Sequence, residues 1–237
     1  MINIYKPLII FSHYRSGSTW FQSGLPQFSA FELFNLDLIW KSHPHRPEFK
    51  NSIAQYYTLS NHIPDRYYGD DIDIETELND RFSIYNELES KHSPISLKVH
   101  TCHVNDKLIK FLSTKELDYV LIERRDKVAT FWSHIISLTT TQFHFFEPKA
   151  QEITITKEHF KSVADKMLNF QKEVDDLKKI FSIQHMYYED ILNLEVSDWW
   201  VRPINRIKIQ NAAKITTITN RDEVMSWIEE IDLFNKI

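Results

Sequence analysis

Short apolar runs alternate with stretches of helical periodicity along this chain. Pro7 to His13 (PLIIFSH), Ile95 to His100 (ISLKVH), Tyr119 to Glu123 (YVLIE) and Ile183 to Tyr188 (IQHMYY) each have the length and composition of a strand. The first and third are nearly continuous apolar runs, as strands covered on both faces are. From Lys157 to Phe181 the pattern changes. Phe160, Val163, Met167, Phe170, Val174, Leu177 and Phe181 fall at alternating steps of three and four, which predicts one apolar stripe on a long helix. The stripe is better suited to packing on a sheet or another helix than to a coiled coil, because three heptads are few. Asn220, with Glu223 three positions on, predicts the N-cap and capping box of a final helix. Strands alternating with helices predict a three-layer α/β/α domain around a central, mainly parallel sheet of about four to five strands. No repeat, low-complexity tract or linker interrupts the pattern, so residues 1–237 read as one domain. Within it, 41–69 is rich in His, Pro, Asn and Tyr and reads as a substrate-side insert.

Composition narrows the function. With 28 Lys and Arg against 33 Asp and Glu, the net charge is −5, the wrong sign for a general nucleic-acid coat. Only 3 glycines occur, Gly17, Gly24 and Gly69, so neither GxGxxG nor GxxxxGK[ST] can be written. The single cysteine, Cys102, forbids an intramolecular disulfide and a CxxC metal pair. An arginine six positions after it would suggest a phosphatase, but that position is Leu108. No apolar run approaches the ~20 residues that span a bilayer, and Pro7 to Phe11 is too short for a signal-peptide core. A cytoplasmic protein with no membrane partner is the expectation. His43-Pro44-His45 and His100-x-x-His103 fall at no familiar zinc spacing, so no metal is expected.

Two segments carry chemistry. In IIFSHYRSGSTWFQSGL, from Ile9 to Leu25, an apolar strand enters Tyr14-Arg15-Ser16-Gly17-Ser18-Thr19 and then a helical pattern. Such a turn presents backbone N–H groups to an anion, and Gly17 lets the backbone approach without a Cβ in the way. Ser16, Ser18 and Thr19 add hydroxyls, and Arg15 adds a forked cation. Helix capping accounts for the hydroxyls equally well. In YVLIERRDKVATFWSHIIS, from Tyr119 to Ser137, a strand ends at Glu123-Arg124-Arg125 and a helix begins near Asp126. Ser133 lies eight residues after Arg125, about two helical turns in, where the pair could hold a second anion. A solvated charge cluster from Glu123 to Lys127 is the other reading of that segment.

These residues resemble the sulfotransferase superfamily, whose donor is 3′-phosphoadenosine 5′-phosphosulfate (PAPS). The family's 5′-phosphosulfate loop reads like YPKSGTTW, against Tyr14 to Trp20 here, and its 3′-phosphate motif has an arginine followed eight residues later by a serine. Arg15 and the RRDKV wording at Arg124 to Val128 are closest to the bacterial trehalose-type members. Ser93 to His100 (SPISLKVH) is similar to a segment ending in a Lys-x-His triplet, and Tyr187 to Asp190 (YYED) to a late YED motif. The matches span about Phe11 to Asp190 in order. The resemblance implies a P-loop-like fold and the following roles. Arg15, Ser16, Gly17, Ser18 and Thr19 would cradle the 5′-phosphosulfate, with Trp20 on or near the adenine and Tyr188 bordering it. Arg125 and Ser133 would hold the 3′-phosphate. The late RxGxxG-like cover of cytosolic members is absent, since no glycine follows Gly69, and Arg202, Arg206 and Lys208 are the basic substitutes available.

Sulfuryl transfer requires in-line positioning, stabilised equatorial oxygens and a base for the acceptor hydroxyl. Arg15, Lys98 and the loop N–H groups can supply the positive field without a metal. Two residues are candidates for the base. Glu32 stands where the trehalose-type branch carries a catalytic glutamate and is ranked first; His100 occupies the histidine of the Lys-x-His triplet. The acceptor is expected to be a carbohydrate or small molecule. Trp40, His43, Tyr56, Tyr57, Phe143, His144, Phe145 and Phe146 are available to stack on it. Two alternatives stand beside this one: a P-loop-type kinase of a small metabolite, which the missing GK[ST] opposes, and a non-catalytic nucleotide-binding relative. Oligomeric state is left open.

Overall fold

The computed structural model describes residues 3, 5–25, 28–32, 86, 94–140, 151–195 and 216–237. Five parallel strands form the central sheet: β1 (Leu8–Ser12), β2 (Ser29–Glu32), β3 (Ile95–His100), β4 (Asp118–Glu123) and β6 (Ile183–Tyr187), in the order β2-β3-β1-β4-β6. A separate parallel pair joins β5 (Gln151–Ile153) to β7 (Thr216–Ile218). The helices are α1 (Ser18–Ser23), α2 (Asp106–Ser113), α3 (Lys127–Thr140), α4 (Lys157–Ile180), α5 (Tyr188–Ile191), α6 (Arg221–Glu230) and α7 (Leu233–Lys236).

Strand alternation sorts the core into two faces. Ile9 and Phe11 of β1 pack with Leu97, Val99 and Leu121 under Leu108 and Leu112 of α2 and Phe170, Val174 and Leu177 of α4. Leu8 and Ile10 pack on the opposite face with Val120 and Ile122, beneath Phe21 of α1 and Ile191 of α5. The molecule is therefore a three-layer α/β/α sandwich, as the alternation of strand and helix predicts. Each fully buried side chain of this size contributes about 1.5–3 kcal/mol. The predicted stripe of α4 is buried along its whole length, Phe160 to Phe181. Its first half belongs to a second cluster with Phe131 and Ile135 of α3 and Val224 and Ile228 of α6, so α4 joins that cluster to the sheet.

The four strands expected from the sequence, β1, β3, β4 and β6, have the boundaries of the pattern to within a residue, and β2, β5 and β7 are additional. Asn220 behaves differently. It precedes α6, but its side chain makes no capping bond. Instead Oδ1 accepts from Ile155 N and Nδ2 donates to Ile155 O, both at 2.9 Å, and Nδ2 also donates to Glu223. The amide thus copies a strand partner beside β5 and β7, and satisfying both groups of Ile155 outweighs the cap. Glu32 ends β2, the strand that follows α1. The 41–69 insert, the acceptor-side aromatics and Arg202, Arg206 and Lys208 lie outside the described residues.

The connection from β1 leads to β2 on one side of the sheet, and that from β4 to β6 on the other. α1 covers one face while α2 and α4 cover the other. The crevice at the carboxyl ends of β1 and β4 is thus a topological switch point, where open α/β sheets bind ligands.

Candidate functional site

The loop leaving β1 is built on two left-handed residues, Arg15 (φ 62°) and Gly17 (φ 86°). Gly17 is the N-cap of α1, and a Cβ built on it would run into the ring of Tyr188. Only glycine tolerates both the torsion and that contact. Trp20 meets the same Tyr188 ring edge-on, with centroids 5.9 Å apart. The two aromatic residues assigned to the base by resemblance therefore border the loop together. Ser18 is buried, and Thr19 sits in the first turn of α1.

Arg15 has no such excuse for its torsion, which costs an L-residue roughly 1–2 kcal/mol. Its Nε donates to Ser133 Oγ at 2.9 Å, joining the loop to α3. Burial, reinforced by the nearby charge of Arg124, lowers its pKa to about 10, so it remains a cation at neutral pH.

The paired arginines after β4 part company. Arg125 turns outward, forming a bidentate pair with Asp190 at 2.7 and 2.6 Å while its guanidinium stacks 4.2 Å over Tyr187. Glu189 accepts from the backbone N–H groups of Arg125 and Asp126. Arg125 and Ser133, paired by the resemblance, are thus each held by another partner. Arg124 turns inward, 5.8 Å from the Tyr188 ring. Adjacent residues leaving a strand point to opposite sides, and the acidic pair after Tyr188 takes the outer one.

On the other side of the crevice, parallel register sets Glu32 of β2 beside Lys98 of β3, and Ser12 beside His100. Lys98 is 1% exposed, a rare burial for a lysine. Ser12 Oγ lies 3.3 Å from His100 Nδ1. The Tyr14 ring stacks on His100 at 4.0 Å, and its hydroxyl pairs with His103 Nε2 at 2.8 Å. His134 of α3 covers the outer face of Tyr14 at 4.8 Å, and His13 meets His134 edge-on at 5.5 Å. Burial dominates His134 and His13. It lowers His134 to about 2 and His13 to about 4, and neighbouring cations act in the same direction.

Between the β1 loop, the end of β4, α3 and α4 lies a cleft lined by His13, Ser16, Arg124, Lys127, Thr130 and Gln171 among others. Three of its polar atoms are buried with no hydrogen-bond partner among the described residues: His13 Nε2, Ser16 Oγ and Arg124 Nε. The nearest carboxylate oxygen to Arg124 Nε, on Glu189, is 4.0 Å away, too far for a hydrogen bond. Lys127 is paired with Glu123, whose other oxygen lies 2.7 Å from His185 Nε2. A buried polar atom without a partner costs about 1–3 kcal/mol, so three around one cleft set it apart from the rest of the described surface. Among the described residues no group of three or more His, Cys, Asp or Glu side chains could hold a metal ion, and no helix is long and apolar enough to cross a membrane.

Arg124, His13 and His134 did not stand out in the sequence. Arg124 could have been found by asking which of two neighbouring arginines faces in, and His13 by its place at the end of an apolar strand. The fold and site define an α/β protein with basic, hydroxyl-bearing loops meeting at a switch point. No protein-family model matches the chain, and no curated protein matches it.

Proposed function

We propose that the protein is a PAPS-dependent sulfotransferase that moves the sulfuryl group of the donor to a hydroxyl of a carbohydrate or other small acceptor. The observation that carries this reading is the Arg15–Ser133 hydrogen bond. It joins the two segments that resemble the donor-binding motifs, 118 residues apart in sequence, at the crevice where ligands of such sheets bind. Arg15 and Ser16 to Thr19 bind the 5′-phosphosulfate, and Trp20 and Tyr188 border the adenine. Ser133 contributes to the 3′-phosphate, joined by Arg125 once it leaves Asp190.

Arg15 and buried Lys98 supply the cationic field for the oxygens in transfer. Glu32 and His100, on neighbouring strands flanking Lys98, are the groups to accept the acceptor's proton. Tyr14 fixes the plane of the His100 ring by stacking, and Ser12 holds its Nδ1 edge. The arginine in place of the usual loop lysine keeps the charge and adds the second donor that reaches Ser133.

The test is thermal unfolding with 3′-phosphoadenosine 5′-phosphate, ATP and AMP at equal concentration. At a hundred times its dissociation constant a ligand adds about 2.7 kcal/mol, which is a rise of roughly 5–10 °C for a chain of this size. The 3′-phosphorylated nucleotide should give that rise and the others much less. Equal or greater stabilisation by ATP overturns the proposal. Transfer of labelled sulfuryl to a panel of sugars and phenols then identifies the acceptor.

A further inference from the structure

The cleft beside the β1 loop has a chemistry of its own. His13 Nδ1 lies 2.8 Å from the carbonyl oxygen of Tyr14. A carbonyl only accepts, so Nδ1 carries the hydrogen and, in the neutral ring, Nε2 presents a lone pair. That lone pair lines the cleft without a partner, beside the hydroxyl of Ser16 and the Nε–H of Arg124. His13 is 7% exposed and Ser16 1%, so neither is simply a surface group lacking a neighbour. The unpartnered atoms of the cleft are therefore one acceptor, one fixed cationic donor and one hydroxyl that can serve as either, with Lys127, Thr130, Gln171 and Lys236 also in its lining.

We propose that this cleft binds a phosphate monoester in its monoprotonated form and discriminates against sulfate, the P–OH hydrogen going to His13 Nε2 and the anionic oxygens to Ser16 and Arg124. A sulfate monoester carries the same single negative charge but has no hydrogen to donate, so it leaves the Nε2 lone pair facing an oxygen. Sites built to hydrogen-bond a ligand hydroxyl reject analogues that lack it because the buried partner is left unsatisfied. Burial first, then the charges of His100 from β3, Lys127 from α3 and Lys166 from α4, keeps the His13 ring neutral and the acceptor in place, while the His134 ring of α3 meets it edge-on. The edge of Phe170 closes the remaining side at 5.3 Å.

The proposal does not depend on sulfuryl transfer. Where it is combined with the donor reading, Ser16 is the residue that the two share, and the 5′-phosphate of the spent donor, 3′-phosphoadenosine 5′-phosphate, is the monoester that fits, since the intact phosphosulfate has no weakly acidic P–OH.

Methyl phosphate and methyl sulfate make a matched pair of probes, titrated calorimetrically into the full chain at pH 6 and pH 8. Methyl phosphate should bind about tenfold or more tightly than methyl sulfate at pH 6. Its affinity should fall by up to about tenfold per pH unit above its second pKa, near 6. In His13→Gln the amide can donate in place of the lone pair, so methyl sulfate should gain affinity and the preference should vanish. Arg124→Gln should weaken both probes. Equal affinity in the wild type, a preference for sulfate, or unchanged binding in a folded Arg124→Gln protein overturns the proposal. If His13→Gln does not fold, the wild-type pH series and Arg124→Gln still decide it. Competition between methyl phosphate and 3′-phosphoadenosine 5′-phosphate identifies a nucleotide as the source of the phosphate; independent binding identifies a separate phosphate ligand. A chain that shows the preference but ignores the nucleotide overturns the donor reading alone. One that binds the nucleotide without the preference overturns the cleft alone.

Discussion

The buried histidines His13 and His134 make stability fall on mild acidification, and the size of the fall follows from their burial. His13 and His134 titrate near 4 and 2 in the folded protein, against an ordinary value of 6.5. At pH 5 the unfolded chain has nearly both rings protonated, whereas the folded chain has neither. The unfolded state therefore binds more protons, and unfolding free energy rises with pH. Each ring keeps its full contribution above pH 6.5 and loses it as pH falls, His13 down to about 4 and His134 down to about 2. From pH 7.5 to pH 5 the loss is about 2 kcal/mol per ring, or about 4 kcal/mol together. That is a large part of the 5–15 kcal/mol that holds a typical domain folded. His185, also lowered by burial, adds in the same direction. The carboxylates held low by surface pairs, Asp190, Asp176 and Glu116, titrate below this window and do not confuse it. The assay is urea unfolding at pH 7.5, 6.5, 5.5 and 5.0, fitted for the midpoint at constant slope. His134→Phe keeps a ring against Tyr14 but cannot take a proton, so it should remove about half of the dependence. A wild-type midpoint that does not move between pH 7.5 and 5.0, or an equal fall in His134→Phe, refutes the reasoning.

Two further substitutions test the loop and the β4 end. Gly17→Ala forces a Cβ toward Tyr188 at φ 86°; the torsion alone costs about 1–2 kcal/mol, so melting should drop by roughly 2–8 °C and nucleotide binding should weaken. Unchanged calorimetric melting would mean that Tyr188 does not sit on this glycine. Asp190→Asn releases Arg125 from its bidentate partner. The 3′-phosphorylated nucleotide should then bind more tightly with little change in melting, whereas Arg125→Ala should weaken it; titration calorimetry showing no effect of either removes Arg125 from the site.

Much of the fold was legible because burial on both faces leaves an unmistakable record. LIIF (Leu8 to Phe11) and VLI (Val120 to Ile122) are apolar at every position, since β1 and β4 lie within the sheet with helices above and below. The stripe of α4 was legible for the same reason, its seven positions all facing apolar partners. β2, β5 and β7 went unnoticed: strands of 4, 3 and 3 residues are too short to show a period and owe their conformation to their neighbours. Asn220 carries the letters of a cap, and no local rule could anticipate that Ile155, 65 positions away, would claim its amide.

The site was legible at the level of motifs and not at the level of partners. Sequence brings Arg15 and Arg125 forward because each stands at a recognisable spacing from hydroxyls and glycine. It says nothing about which cation survives burial. Folding turns Arg125 to the surface, where Asp190 satisfies it, and buries Arg15 near Arg124, burial first and the like charge second lowering its pKa. Like charges brought together in this way, a strained torsion at Arg15 and three unpartnered polar atoms all raise the free energy around the β1 loop and the end of β4. Hydrophobic packing elsewhere sustains that cost, and none of the three features improves the core. A single anion seated at the switch point would offset all three at once: it screens the arginine pair, supplies the missing hydrogen bonds and holds Arg15 in its torsion. Ligand binding and local stability should therefore rise together in this loop, with slower amide exchange from His13 to Gly17 on phosphate binding than in helices far from it.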